Sequence, residues 1–395
     1  MLHRITICIV SLIAFLVLPG NTAAVPQDGA LVFDLVRIRT TNDNLTNDNF
    51  HAKRDGTVAV EQLQQKRHRL GINLTLKGVK YLLSIDTGST DTWIAQSDFK
   101  CIDPKQKVIS QKDCGMGPNT HKGSIDAIAM DDFSIEYGGG ESAKGKMSKQ
   151  TIEIGGSQVE NVWIAFAHEL AWRGDGLTVG IFGIAWDIKE PAIWQQFCEQ
   201  QCPSLPMQFT LAINRDEDGD DGGSIAFGGT LDGQLITPKA GWVTVDLVDT
   251  AAGEWVIKRF EWGFEHNGNV DKEEIVQDTI IDSGNPTIQL PKETFAKFLS
   301  TWSPLPTWNT DLGLLQLDCK AKGPDSLYIE IGGTKFKIPV KNNILGKYDD
   351  ICFLAVDTRN EGDRVSLGLP FMRHVTVHHD LDNRKISFKQ RVYTT

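Results

Sequence analysis

Two triplets in this chain have the makings of chemistry. Asp86-Thr87-Gly88 and Asp282-Ser283-Gly284 are its only Asp-[Ser/Thr]-Gly runs. An Asp at a strand end, then a small hydroxyl residue, then Gly, places a carboxylate on a tight exposed turn. Gly lets the backbone approach a partner closely, and the hydroxyl can bond a neighbouring backbone group and stiffen the turn. One such triplet is weak evidence, because Asp and Gly are common turn residues. Two that meet are another matter. Carboxylates brought close together cannot both ionise cheaply, so they share one proton. The pair then holds a base and an acid in one place, the arrangement that activates a water and protonates a leaving group.

The elements around the triplets repeat. Leu82-Leu83-Ser84-Ile85 leads into Asp86, and Thr279-Ile280-Ile281 leads into Asp282. Ile181-Phe182-Gly183 ends 97 residues after Asp86 (183 − 86), and Ser366-Leu367-Gly368 ends 86 residues after Asp282 (368 − 282). Two similar halves of roughly 180 residues read as a duplicated β lobe, with the triplets meeting on a pseudo-twofold axis. From residue 69 onward most segments read as short strands, among them 71–76, 151–154, 224–227 and 327–331. Gly-Gly pairs at 155–156, 228–229 and 332–333 punctuate them. This is all-β patterning, with helical patches only at 191–200 and 291–301.

Composition bounds the rest. The 395 residues allow two or three compact lobes. Lys plus Arg is 40 against 51 Asp plus Glu, a net charge of −11, which argues against nucleic acid as a partner, because phosphate binding needs a basic face. Arg4, the apolar run from Ile5 to Leu18 and the small residues Thr22, Ala23 and Ala24 read as a secretory signal over residues 1–24. That run is too short for a membrane span, and the C-terminal end has no hydrophobic tail for a lipid anchor. The expectation is a secreted, extracellular protein without a membrane anchor. Residues 25–54 are polar and end in Lys53-Arg54, a candidate processing site that makes them a propeptide, with Lys66-Arg67 as a second candidate. The lobes then run over 55–230 and 231–395. Asn44-Leu45-Thr46 and Asn73-Leu74-Thr75 fit the N-glycosylation pattern.

Cys8 lies in the signal, and six cysteines remain: Cys101, Cys114, Cys198, Cys202, Cys319 and Cys352. An even number in an exported chain points to three disulfides, with 15 pairings open. Cys198 and Cys202 lack the second pair or clustered His that zinc needs, so a disulfide is preferred there. No metal site and no cofactor is expected. The acidic stretch Asp216–Asp221 lacks the Gly and Glu positions of a calcium loop and reads as a solvated loop.

With these residues in view, the chain from about 55 to its C-terminus resembles the pepsin-like aspartic proteases, most closely the secreted aspartic proteinases of yeasts (candidapepsin type). The resemblance is carried by Ile85-Asp86-Thr87-Gly88-Ser89-Thr90-Asp91-Thr92-Trp93-Ile94, by Ile280-Ile281-Asp282-Ser283-Gly284, and by Ile135-Glu136-Tyr137-Gly138-Gly139-Gly140, similar to the family's flap hairpin. Gly180–Trp186, Leu367–Arg373 and His379–Phe388 resemble further family segments. Cutting after Arg54 would make Asp86 residue 32 of the mature chain (86 − 54), which fits the family's layout.

The resemblance implies a bilobal acid-protease fold and an aspartic endopeptidase that hydrolyses peptide bonds without a covalent intermediate. Asp86 and Asp282 would hold the water. Thr87 and Ser283 would brace the paired turns, and Ser89 would bond Asp86 and favour its ionised form. Tyr137 would cover the site with its hydroxyl held by Trp93, and Ile181 would line the main side-chain pocket. Gly88, Gly284, Gly138 and Gly139 would meet a peptide or protein substrate bound in extended form. The resemblance also implies a monomer, sensitivity to pepstatin-type inhibitors, and bridges Cys101–Cys114 and Cys319–Cys352; Cys198–Cys202 matches no family bridge. Two positions depart from the family. Asn285 stands where a second Ser or Thr is usual, its amide still able to donate to the Asp282 carboxylate, and Gly139 stands where a polar flap residue is common.

Two other readings compete. A catalytically silent binding protein on the same scaffold is kept open by Asn285-Pro286 and opposed by the intact pair of aspartates. An Asp/Asp glycosidase fits poorly, because such enzymes rarely take both acids from repeated Asp-[Ser/Thr]-Gly turns.

Overall fold

The computed structural model describes residues 25–26, 30–37, 70–124, 131–201, 204–215, 222–232, 241–250, 253–266, 269–309, 314–359 and 363–391. The signal, both dibasic pairs, Asn44, Cys202 and the acidic stretch 216–221 lie outside these residues. The described chain is built mainly of strands. Its helices include Ile193–Gln200 and Lys292–Ser300, inside the two helical patches read from sequence.

Alternation explains the strands that carry the first triplet. In Leu70–Leu76, Leu70, Ile72, Leu74 and Leu76 are buried while Asn73 faces solvent. That strand pairs antiparallel with Val79–Asp86, from Gly71 opposite Ser84 to Leu76 opposite Val79. Val79–Asp86 in turn runs parallel to Gly180–Gly183, with Gly183 opposite Asp86. The second half repeats the arrangement. Thr279–Ile281 runs parallel to Val365–Leu367, with Ile281 opposite Leu367, and Asp282 donates its N–H to the Leu367 carbonyl.

The closing glycines of the echo have a steric cause. A Cβ on Gly183 would stand 2.5 Å from the Thr90 carbonyl carbon, and one on Gly368 2.3 Å from the Asn285 and Thr287 oxygens. In both halves the loop that follows the Asp runs directly across this glycine. The repeat in sequence is therefore a repeat of backbone threading.

The halves share strands. Gln208–Ile213 pairs with Gly223–Phe227 on one side and with Val375–Asp380 from the chain's far end on the other. Lys385–Gln390 and Val243–Asp246 extend the sheet. The segment 25–54, read as polar, contributes to it as well. Leu31–Arg37 pairs with Gly223–Phe227 and reaches Leu70–Leu76 through Val36 opposite Gly71. Leu31, Phe33 and Leu35 alternate in the manner of a strand, a pattern diluted by polar flanks; Leu35 is 2% exposed, and the Phe33 ring lies 5.8 Å from those of Phe197 and Phe227. Phe33→Ala is expected to destabilise the uncut chain by about 2 kcal/mol, given its partial burial, as a lowered midpoint in urea unfolding.

The strands 142–154 and 157–171 are longer than the short ones read from sequence, at 13 and 15 residues. Register shifts at Lys144/Gly145 and Gln150/Ile152 bend this hairpin so that it can serve two packing surfaces.

Two disulfides match the expected pairs: Cys101–Cys114 with Cα atoms 5.8 Å apart, and Cys319–Cys352 at 5.0 Å. The third expected bridge is not formed. Cys198 is a free thiol, fully buried on the helix 193–200. Burial pushes its proton affinity up to about 12, which leaves it an inert core residue.

Candidate active site

The two triplets meet. Thr87 Oγ1 donates to the Ile281 carbonyl at 2.8 Å, and Ser283 Oγ donates to the Ile85 carbonyl at 3.0 Å. Each hydroxyl also accepts the opposite main-chain N–H: Ser283 N–H to Thr87 Oγ1 at 2.8 Å, Thr87 N–H to Ser283 Oγ at 3.1 Å. Four reciprocal bonds, at residues 0% and 2% exposed, lock the turns across the pseudo-twofold axis.

The lock forces the carboxylates together. A Cβ on Gly88 would lie 2.9 Å from Asp282 Oδ1, and a Cβ on Gly284 2.5 Å from Asp86 Oδ1. Only glycine leaves room for the opposite acid at either turn. The carboxyl groups of Asp86 and Asp282 thus face each other closely enough to interact directly.

Their environments differ. Asp86 Oδ1 accepts the Gly88 N–H at 2.8 Å and Oδ2 the Ser89 hydroxyl at 2.5 Å. Asp282 Oδ1 accepts the Gly284 N–H at 2.8 Å, and the Asn285 main-chain N–H adds support. Among the described residues no side-chain hydroxyl serves Asp282. The Asn285 side chain, read from sequence as a donor to this carboxylate, turns away instead. Its Nδ2 donates to Ser366 Oγ at 2.9 Å, while its Oδ1 accepts both the N–H and the hydroxyl of Thr287 at 2.9 Å. An Asn side chain has an acceptor to satisfy as well as a donor, and Thr287 offers two donors at once. Removal from bulk water, and then the neighbouring Asp86 charge, hold the Asp282 proton on well above the usual carboxylate range.

This asymmetry gives a prediction. Asn285→Thr places a hydroxyl within reach of Asp282 and favours its ionised form, so its proton comes off at lower pH. If activity requires one proton on the pair, the alkaline limb of the pH–kcat/KM profile moves down. An unchanged or upward-moving limb would refute this account.

The hairpin read as the flap pairs Asp131–Glu136 with Ser142–Ile154. Its tip is closed by Tyr137 N–H to the Glu141 carbonyl at 2.8 Å and Gly140 N–H to the Tyr137 carbonyl at 2.9 Å. Trp93 Nε1–H donates to the Tyr137 hydroxyl at 2.8 Å, and Ser89 lies close to the same hydroxyl. A chain of contacts thus runs Trp93–Tyr137–Ser89–Asp86. Burial and the Asp86 charge push the Tyr137 phenol far up, so it stays neutral.

Sequence reading missed Trp172. Its ring packs edge-on against Trp93 at 5.0 Å and Tyr137 at 5.5 Å. It shares an apolar cluster with Ile181, Phe133, Ile135 and Met147, so the wall assigned to Ile181 is largely aromatic. Nothing in the local sequence marks Trp172, because its ring meets the flap through tertiary packing with residues far from it in the chain. Among the described residues no three His, Cys, Asp or Glu side chains converge to hold a metal ion.

The family model for eukaryotic aspartyl proteases matches residues 72–391, most of the chain and both triplets. The chain belongs to the eukaryotic aspartyl protease family. It is 25% identical over 414 residues to candidapepsin-3 of Candida albicans, covering 95% of this chain and 93% of that relative. It is 23% identical over 394 residues to an acid protease of Saccharomycopsis fibuligera, covering 92% and 93%. Among solved structures, the aspartic proteinase of Irpex lacteus aligns over 85% of this chain and 96% of its own, with a TM-score of 0.62 at 17% identity, which establishes the shared fold. This aspartyl protease is therefore pepsin-like in architecture, and among its described residues no helix is long and apolar enough to cross a membrane.

Proposed function

We propose that the protein is a secreted acid endopeptidase in which Asp86 and Asp282 together activate a water. The observation that carries this reading is the pair of closely apposed carboxyl groups, locked by the four Thr87 and Ser283 bonds. Asp86, with two donors on its oxygens, is the ionised partner. Asp282, with its proton held, is the acid.

An extended peptide lies between the carboxylates and the flap, hydrogen-bonded like an added strand to backbone groups near Gly88, Gly284, Gly138 and Gly139. Water held between the two acids gives its proton to Asp86 as its oxygen bonds the scissile carbonyl carbon. Asp282 passes its proton to the carbonyl oxygen, forming a neutral gem-diol. In the second step the diol loses a proton to Asp282 while the proton on Asp86 goes to the leaving nitrogen, and the C–N bond breaks. The pair returns to its starting charge, and no covalent bond to the enzyme forms. Tyr137, kept neutral and aimed by Trp93, shields the reacting atoms.

Residues 25–54 act as the propeptide in this reading. Cleavage after Arg54 removes the strand 31–37 from the shared sheet. The test is direct. Processed protein, with its N-terminus sequenced, is incubated with denatured globin at acidic pH, with and without pepstatin. Pepstatin-sensitive cleavage is expected; intact substrate after confirmed processing would leave only a binding role.

A further inference from the structure

We propose that Arg359 is a specificity residue that selects substrates with a carboxylate side chain beside the scissile bond. The inference rests on the endopeptidase reading above and names its substrate class.

Arg359 ends the strand Val356–Arg359, which pairs in parallel with Ile288–Pro291 in the same sheet as the strand leading into Asp282. Its side chain crosses from this half toward the flap of the other. Nη2 stands 3.4 Å from where a Cβ on Gly138 would be. The guanidinium thus sits at the flap tip, one residue from Tyr137.

Among the described residues this cation has no internal match. Arg359 is half-buried, and no carboxylate pairs with its guanidinium among the described residues. The acid on the flap loop, Glu141, accepts the Arg173 N–H through Oε1 at 3.0 Å. Gly138 and Gly139 bring no side chain that could cover the charge. A planar guanidinium presents a fork of N–H donors that fits a carboxylate in a bidentate pair.

The geometry also favours one kind of position in the substrate. Successive side chains of an extended peptide point to opposite sides. When one enters the apolar wall of Tyr137, Trp172 and Ile181, its neighbour points away from that wall, toward the half that carries Arg359. An Asp or Glu there meets the guanidinium in a cleft from which water is partly excluded.

The test uses processed enzyme and one apolar peptide with Glu or Gln placed in turn at the four positions flanking the scissile bond. Assays run at pH 5.5, where a Glu side chain is ionised. At one position kcat/KM for Glu is expected to exceed that for Gln about 10-fold or more, the scale of a charge-assisted hydrogen bond. In Arg359→Gln that ratio falls to about 1, and Arg359→Glu favours Lys at the same position. Equal Glu/Gln ratios in wild type and Arg359→Gln at every position would overturn the assignment. Dissociation constants of uncleavable statine analogues carrying Glu or Gln separate the two readings. A Glu preference in binding that Arg359→Gln removes, without cleavage of any peptide, retains the role of Arg359 and ends the endopeptidase reading. Cleavage of all peptides without a Glu preference does the reverse.

Discussion

Asp86→Asn and Asp282→Asn each lower kcat on a denatured-protein substrate by about 10⁴-fold, the upper range for losing a positioned acid or base. In the proposed mechanism the two carboxyl groups work as one unit: one takes the water's proton as the other supplies the carbonyl's. Removing either leaves the survivor unable to do both, so the double variant is expected to be no slower than the singles. The folds should persist. The turns are held by Thr87 and Ser283 rather than by the acids, and each Asn removes one of two crowded acids. Progress curves over hours, with and without pepstatin, read the residual rate, and thermal melting checks the fold. Single variants within tenfold of wild type would place the chemistry elsewhere.

The second large effect concerns acid stability. His379 is fully buried, stacked on Phe209 at 4.2 Å and edge-on to Trp255 at 4.8 Å, in the sheet shared by the halves. Backbone groups of Phe209 and Val377 lie near enough to favour its proton a little, but neither ring nitrogen makes a hydrogen bond of good geometry. Burial, and then His378 beside it, hold the ring neutral, its proton affinity well below the ordinary histidine value. The unfolded chain takes up a proton at this residue below about pH 6.5 while the folded one does not. Stability is therefore fully present above that pH and falls by about 1.4 kcal/mol for each further unit of acid, until the folded state also protonates. His379→Phe keeps the aromatic stack and removes the titrating group. It is expected to be more stable relative to wild type at pH 4 than at pH 7.5. Urea midpoints at the two pH values measure this, and an equal difference at both would exclude a neutral buried imidazole. His378 and His121 are also held low by burial. The fold thus works against strong acid even where its chemistry needs a proton.

How legible was this from sequence? The triplets, the flap motif and the strand-ending glycines were readable because each is a local demand. Asp must sit at a strand end, and Gly183 and Gly368 must lack a Cβ where backbone crosses. Such constraints leave fixed letters at fixed spacing. The strand Leu31–Arg37 was misjudged because a mean over the thirty residues 25–54, with their polar flanks, hid a short apolar run. Cys198 was misassigned because counting cysteines supplies parity, not geometry; its thiol lies buried against the core.

The residues and spacing alone determined an all-β, duplicated chain with two acids on glycine turns, since strand alternation and turn chemistry are properties of neighbouring residues. Only the folded arrangement decided which acid keeps the proton, that Asn285 serves Ser366 and Thr287 rather than Asp282, that Trp172 backs the flap, and that Arg359 reaches it from the other half. Those outcomes turn on distance and burial between groups far apart in the chain, and Coulomb energy and hydrogen bonding depend on separation in space rather than in sequence.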